Sequence, residues 1–308
     1  MHEIDFAKGH GTRNDFVLFT DADGTIRLTA EQVRALCDRR AGIGADGVLR
    51  AVRGRHVPQW DGNPEVWFMD YRNADGSIAE MCGNGLRVFA RYLVEQGLAD
   101  GPAFDVGTRA GLRRVTIGED GMAAADMGEV RVGGVVTVFH SGARYLARAV
   151  DVGNPHAVVV LQPGQSVDAI NLTCGPSWEP ESAFPDGVNV EFLEAGGSGL
   201  RMRVHERGVG ETFSCGTGVV AAAAAFCAAG GTPPEVVVNV LGGTLRVRFD
   251  HPVWLNEGIA APAEPPMRHP RAVLIGPAVI VAHGSVDLDA LSAPAQRHAA
   301  PLSPSEAR

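Results

Sequence analysis

Long hydrophobic runs are missing from this 308-residue chain. The longest, residues 219–229, is far shorter than the roughly 20 residues that span a bilayer, so no membrane role is expected. Dense runs of Lys and Arg are missing as well, and a net charge of −9 argues against a nucleic-acid partner. The opening Met1-His2-Glu3-Ile4-Asp5 lacks a basic n-region and an apolar h-region, so no secretory signal is expected. Cysteine is scarce, at 37, 82, 174, 215 and 227 only, and no C-x-x-C occurs. An odd number without close pairs disfavours a disulfide scaffold and a structural zinc site. It points to free thiols in a reducing, cytoplasmic setting, with no metal. The remainder is ordinary for a globular protein, 45% hydrophobic and 20% charged, and long enough for two domains or one large one.

Against that background two short loops stand out, Met81-Cys82-Gly83-Asn84-Gly85 and Ser214-Cys215-Gly216-Thr217-Gly218. Each is preceded by a β-favouring stretch with a polar, Gly-containing turn, at 71–76 and at 204–210. Each then enters a helical pattern. After Cys82, the residues Leu86, Phe89, Ala90 and Leu93 share one face, and Gly97 is a natural stop. After Cys215 the pattern is apolar all round, which predicts a helix buried on every side. A strand–turn–strand follows both, at 106–115 around Gly111 and at 238–249 around Gly243. One unit repeated in the same order predicts two similar α/β halves related by a pseudo-two-fold. Residues 251–270 are proline-rich and read as a long loop; a strand-like run follows at 272–282, then a disordered tail.

Two thiols at two helix starts suit one chemistry, removing a proton from one face of a carbon and returning it to the other. A helix N-terminus lowers a thiol pKa below its usual ~8.5. One cysteine is then expected to be a thiolate base near neutral pH, and its partner a protonated acid. Backbone N–H groups at Gly83, Asn84, Gly216 and Thr217 are placed to converge on a substrate carboxylate and to stabilise the enolate-like charge. Neither loop carries G-x-G-x-x-G or GKS/GKT, so nucleotide binding is not expected. Cys37, Cys174 and Cys227 read as small buried hydrophobes. Iodoacetamide is therefore expected to label Cys82 and Cys215 in preference to them. Two thiols that reach one carbon are also expected to form a reversible disulfide once their Cα atoms come within about 7 Å.

At these residues the chain resembles the diaminopimelate epimerase family of pyridoxal-phosphate-independent amino-acid racemases and epimerases. The resemblance runs from Phe6 to Gly284. It rests on the two cysteine loops together with Gly9-His10-Gly11-Thr12-Arg13-Asn14-Asp15-Phe16, Asn73-Ala74-Asp75-Gly76-Ser77 and Gly153-Asn154-Pro155-His156. Gly187-Val188-Asn189, Glu206-Arg207-Gly208 and Gly276-Pro277-Ala278 complete it. It implies an α/β (α+β) fold of two pseudo-symmetric domains, each a curved mixed β-sheet wrapped around a central helix, with the active site in the cleft between. Residues 1–127 would form the first domain, joined by the last strand at about 272–284; residues 128–271 would form the second and 286–308 the tail.

The activity implied is cofactor-independent epimerisation of L,L-2,6-diaminopimelate to the meso form, in lysine and peptidoglycan-precursor biosynthesis, by a cytoplasmic homodimer. Cys82 and Cys215 would be the acid–base pair, with the reacting carboxylate on the amides of Gly83, Asn84, Gly216 and Thr217. The reacting amine would sit near Glu206 and the Arg207 backbone. Asn73, Asn154, Asn189 and the Arg207 side chain would meet the second amino-acid head, and Asn14 would line the same pocket. His156, close by, reads as a structural hydrogen-bonder. Three amides and a guanidinium at the far end would reject substrates lacking that head, since each buried polar group left unpaired costs ~1–3 kcal/mol.

Two features depart from the family pattern. Gly47 stands where many members have Gln, which removes one polar contact near the pocket, and the proline-rich segment 251–270 is longer than the usual hairpin. Two rivals remain open. One is a racemase of the same fold acting on another amino acid, such as proline or histidine, although proline-type relatives carry His where this chain has Asn84. The other is a non-catalytic module that binds a dicarboxylate, which would need neither thiol.

Overall fold

A computed structural model describes residues 3–196, 199–230, 235–253 and 268–292. Two strands flank each parallel crossover in one half, and the other half repeats the pattern. In the N-terminal half the strands run side by side as Val279–Asp287, Glu3–Gly11, Asn14–Asp21, Gly47–Arg53, Trp67–Asn73, Ala103–Thr108, Gly111–Ile117 and Ala123–Glu129. In the C-terminal half the order is Arg131–His140, Ala143–Asp151, Pro155–Val160, Asn189–Gly196, Gly199–Glu206, Val236–Val240, Gly243–Phe249 and Arg271–Gly276. The pairings read antiparallel, antiparallel, parallel, antiparallel, parallel, antiparallel, antiparallel in both. The repeat seen in the sequence is thus a repeat of topology.

The halves join edge to edge, Ala123–Glu129 running antiparallel to Arg271–Gly276. The strand-like run near the C-terminus is therefore two strands. Arg271–Gly276 lies at the seam, and Val279–Asp287 returns to pair with Glu3–Gly11 in the first half. Residues 286–292, expected in the tail, finish that strand and form a short helix, because Val286, Leu288 and Leu291 pack on the cluster of Val17, Phe19, Val33 and Leu36. The rest of the expected tail, 293–308, and most of the proline-rich segment, 254–267, lie outside the described residues.

Four α-helices occur among the described residues: α1 (Ala30–Cys37), α2 (Gly83–Glu95), α3 (Gly216–Ala228) and α4 (Leu288–Ser292). α1 opens on a capping box between Thr29 and Gln32 and packs on the outer face of the first sheet. That outer cover explains why Phe16, Val17, Leu18 and Phe19 are consecutively buried, odd and even positions alike, instead of alternating. α2 and α3 are the crossovers inside the two curved sheets. Leu86, Phe89, Ala90 and Leu93 are fully buried, as their spacing predicts. Gly97, at φ +67°, ends α2: its N–H reaches Val94 O, while Leu98 N–H reaches Leu93 O. Val219, Val220 and the alanines 221–225 of α3 are all buried, as a helix apolar on every side requires. No helix among the described residues is long and apolar enough to cross a membrane.

Candidate active site

Both cysteines are helix N-caps. Cys82 is extended (φ −137°, ψ 119°) and its Sγ accepts from Gly85 N–H at 3.4 Å; Cys215 (φ −111°, ψ 113°) accepts from Gly218 N–H at 3.4 Å. The two helix starts abut. A Cβ built on Gly216 would lie 3.3 Å from Gly83 Cα and 3.4 Å from Asn84 N, so a side chain there would crowd the junction and push the two helix starts apart by a few tenths of an ångström. Asn84 then stitches the halves together, its buried amide donating to Ser214 O at 3.0 Å and to Asn14 Oδ1 at 3.3 Å. Thr12 Oγ1 donates to Ser214 Oγ at 2.8 Å across the same junction.

Asn14 faces the first thiol. Its Nδ2 donates to Asp46 Oδ2 at 2.8 Å, which fixes its Oδ1 toward Cys82 Sγ at 3.6 Å. Asn73 holds Ser77 Oγ at 3.0 Å, and the next residue, Ala74, donates its N–H to Asp46 O. Asn14, Asn73 and Asn84 therefore belong to one N-terminal cluster. On the other side, Cys215 Sγ lies 3.5 Å from Thr217 Oγ1, and the Glu206 carboxyl reaches the same thiol while accepting from the Thr212 hydroxyl. Asn189 Oδ1 accepts from Arg207 N–H at 2.9 Å, and Arg207 Nη1 donates to Asp186 O at 3.0 Å. Gly187 (φ +87°) lies under the Arg207 side chain, where a Cβ would stand 2.8 Å from Cδ. Asn154 Oδ1 accepts from His156 Nε2 at 3.1 Å. No hydrogen bond among the described residues joins Asn73 to Asn189, Asn154 or Arg207.

Some parts of the site carry no motif. Arg87, fully buried in α2, donates to Asn84 Oδ1 at 3.0 Å and to Thr12 Oγ1 at 3.4 Å. Burial lowers its pKa to about 10, so it keeps its charge at neutral pH beneath both helix starts. Glu191, also fully buried, bonds His156 Nδ1 at 2.7 Å and sits beneath the second loop, where a Cβ on Gly218 would meet its Oε1 at 2.7 Å. An arginine inside a buried helix, and a glutamate inside the apolar strand run Val190-Glu191-Phe192-Leu193, were the available signals.

The thiols differ from expectation. Burial pushes the Cys82 thiol up to about 11; the Gly85 N–H opposes this, and the Glu206 carboxylate adds to it. Cys215 is raised well above the ordinary thiol value, first by burial and then by the Glu206 and Glu191 carboxylates. At both cysteines desolvation, with the Glu206 carboxylate and at Cys215 also Glu191, outweighs the helix N-terminus. Labelling follows from this. Cys174 is exposed, not buried, and reacts first with iodoacetamide. Alkylation of Cys82 is expected to accelerate about tenfold per pH unit between pH 8 and 10, read by peptide mass spectrometry. A plateau at or below pH 8 would show that the helix start dominates after all.

The profile of one family, diaminopimelate epimerase, matches residues 6–133 and 148–254. The chain is 49% identical over 298 residues to the diaminopimelate epimerase of Thermobifida fusca, covering 93% of this chain and 99% of that one. It is 46% identical over 293 residues to the Corynebacterium glutamicum enzyme of the same name, covering 92% and 99%. The chain belongs to the diaminopimelate epimerase family. Its fold is also that of a hydroxyproline epimerase from Agrobacterium vitis, with a TM-score of 0.65 at 16% identity over 94% of this chain and 93% of that one. A phenazine biosynthesis protein of the PhzF family from Bacillus anthracis matches with a TM-score of 0.62 at 15% identity, over 93% and 100%. Within the family pattern, the departure at Gly47 now has a steric reason. A Cβ there would stand 2.6 Å from Arg72 O and 2.7 Å from Tyr71 Cε2, so the Tyr71 ring fills the space a longer side chain would take.

Proposed function

We propose that this protein epimerises L,L-2,6-diaminopimelate to meso-diaminopimelate without a cofactor, with Cys82 and Cys215 as the two acid–base groups. The observation that carries this reading is the abutment of two cysteine-capped helix starts, each closed by glycine, in a chain of this family. The reacting carboxylate sits on the N–H groups of Gly83, Asn84, Gly216 and Thr217, with the Arg87 charge beneath them. Glu206 receives the reacting amine. Its carboxylate raises both thiols, so an ammonium bound against it removes that repulsion and adds a positive charge. Substrate binding thereby lets one thiol lose its proton to solvent, which leaves the thiolate that deprotonates the substrate. One cysteine takes the α-proton, the other delivers a proton to the opposite face, and the enzyme is left with the roles exchanged. Asn73, Asn154, Asn189 and Arg207 hold the second head, and Asn14 orients Cys82.

The reading extends to a cytoplasmic homodimer serving lysine and peptidoglycan-precursor biosynthesis. It divides the chain into 1–127 with 272–284, and 128–271. The test is a proton NMR time course of L,L-diaminopimelate in D₂O under reducing conditions. Loss of the α-proton signal with appearance of the meso isomer is expected. An unchanged α-proton, with exchange instead on proline or another mono-amino acid, would overturn the substrate.

A further inference from the structure

The N-terminal sheet carries a second cavity on the face turned away from α2. Val48 pairs with Arg72 and Arg50 with Asp70 across adjacent antiparallel strands, so these four side chains share one face. Leu49, Ala51, Met69 and Tyr71 occupy the other, in the core around α2. On the outer face these residues, with Phe19 and Arg27, line a cavity of about 260 Å³. α1 covers the sheet on one side of it and the cluster of Val52, Val57 and Trp60 on the other, leaving the gap between.

The charges around this gap do not balance. Asp70 accepts from Arg50 at 2.9 Å and from Arg109 at 2.5 Å, and Asp21 accepts from Arg50 at 3.1 Å. Arg50 is thus held in the floor by both carboxylates and by Ile26 O at 2.6 Å. The side chains of Arg27 and Arg72 have no hydrogen bond or ion pair to any described residue. Four guanidinium groups therefore surround two carboxylates, an excess of positive charge in a protein whose net charge is −9. A guanidinium pairs best with a planar or tetrahedral oxyanion, through two parallel hydrogen bonds. The apolar floor of Phe19 and Val48 limits solvent screening there and gives an apolar body a surface to rest on.

We propose that this cavity binds a small multivalent oxyanion, an organic phosphate or polycarboxylate, gripped by Arg27 and Arg72 above the Arg50–Asp70 floor. The site is separate from the cysteine cleft, since Arg72 points to the opposite face of the strand from Tyr71. The test is isothermal titration of the intact protein with sodium pyrophosphate and, separately, with citrate, at fixed ionic strength. Wild type is expected to bind at least one of the two at a single site. Arg27→Ala and Arg72→Ala are each expected to weaken that binding at least tenfold. Arg27 is exposed and neither arginine has a partner to orphan, so both variants keep their fold, checked by thermal unfolding. Arg207→Met, in the cysteine cleft, is expected to bind as wild type. Stronger binding of pyrophosphate identifies a phosphate site, and stronger binding of citrate a carboxylate site. Failure of both anions to bind wild type overturns the proposal. So does binding unchanged in both arginine variants, or lost in Arg207→Met.

Discussion

Cys82→Ala and Cys215→Ala are each expected to lower kcat for diaminopimelate epimerisation by about 10³-fold or more, at the upper end of what a positioned acid or base contributes. Both losses are large for a physical reason. In the proposed mechanism the two thiols act on opposite faces of one carbon, so neither isomer would turn over without both. The overall equilibrium constant is a property of the substrates, and a single variant must therefore lower kcat/KM in the forward and reverse directions by the same factor. The fold is touched far less. Each Sγ accepts one backbone N–H, from Gly85 or Gly218, at 3.4 Å, and loss of an N-cap acceptor costs about 0.5–2 kcal/mol. Cys82→Ser and Cys215→Ser separate the two effects, because a hydroxyl restores the cap acceptor but is a much weaker acid than a thiol. Stability should recover in the serine variants while turnover does not. Turnover retained within tenfold in either alanine variant would remove that cysteine from the chemistry.

The sequence exposes what repeats and hides what the repeat creates. The Cys-Gly-x-Gly loops, the stop at Gly97 and the two hairpins are local, written in turn residues and in helical spacing, and all are present in the fold. The junction of Thr12, Asn84, Arg87 and Ser214 is not local. It exists because Ala123–Glu129 and Arg271–Gly276 pair and bring two distant loops together. The thiol pKa values fail for the same reason. A helix start can be read from a few residues, whereas the burial of Cys215 and the position of Glu191 beneath it depend on strands far away in the chain. Cys174 shows the reverse error: a cysteine taken as buried on composition alone stands exposed in a connection. Gly47 had no local explanation either, since the ring that fills its space belongs to the neighbouring strand.

Arg207→Met is expected to lower kcat/KM for diaminopimelate about 100-fold, close to 2.7 kcal/mol, within the range of a hydrogen-bonded charge pair. The arginine is exposed, and the one hydrogen bond of its side chain in the described structure is from Nη1 to Asp186 O at 3.0 Å. The rest of the guanidinium is therefore available to a carboxylate, and its removal should change stability by no more than about 0.5 kcal/mol. A methionine keeps the stem that lies over Gly187, so the loop geometry survives and the lost charge alone is measured. Asn189→Ala makes the contrast. Asn189 is nearly buried and accepts the Arg207 N–H, so its loss should reduce both kcat/KM and stability, the latter by about 1–3 kcal/mol. The decisive comparison uses a substrate without the second head. If Arg207 grips that head, the variant penalises diaminopimelate and leaves the slow turnover of a mono-amino acid unchanged. An equal loss on both substrates would place Arg207 at the reacting centre instead, and no loss on either would leave the second head without its cation.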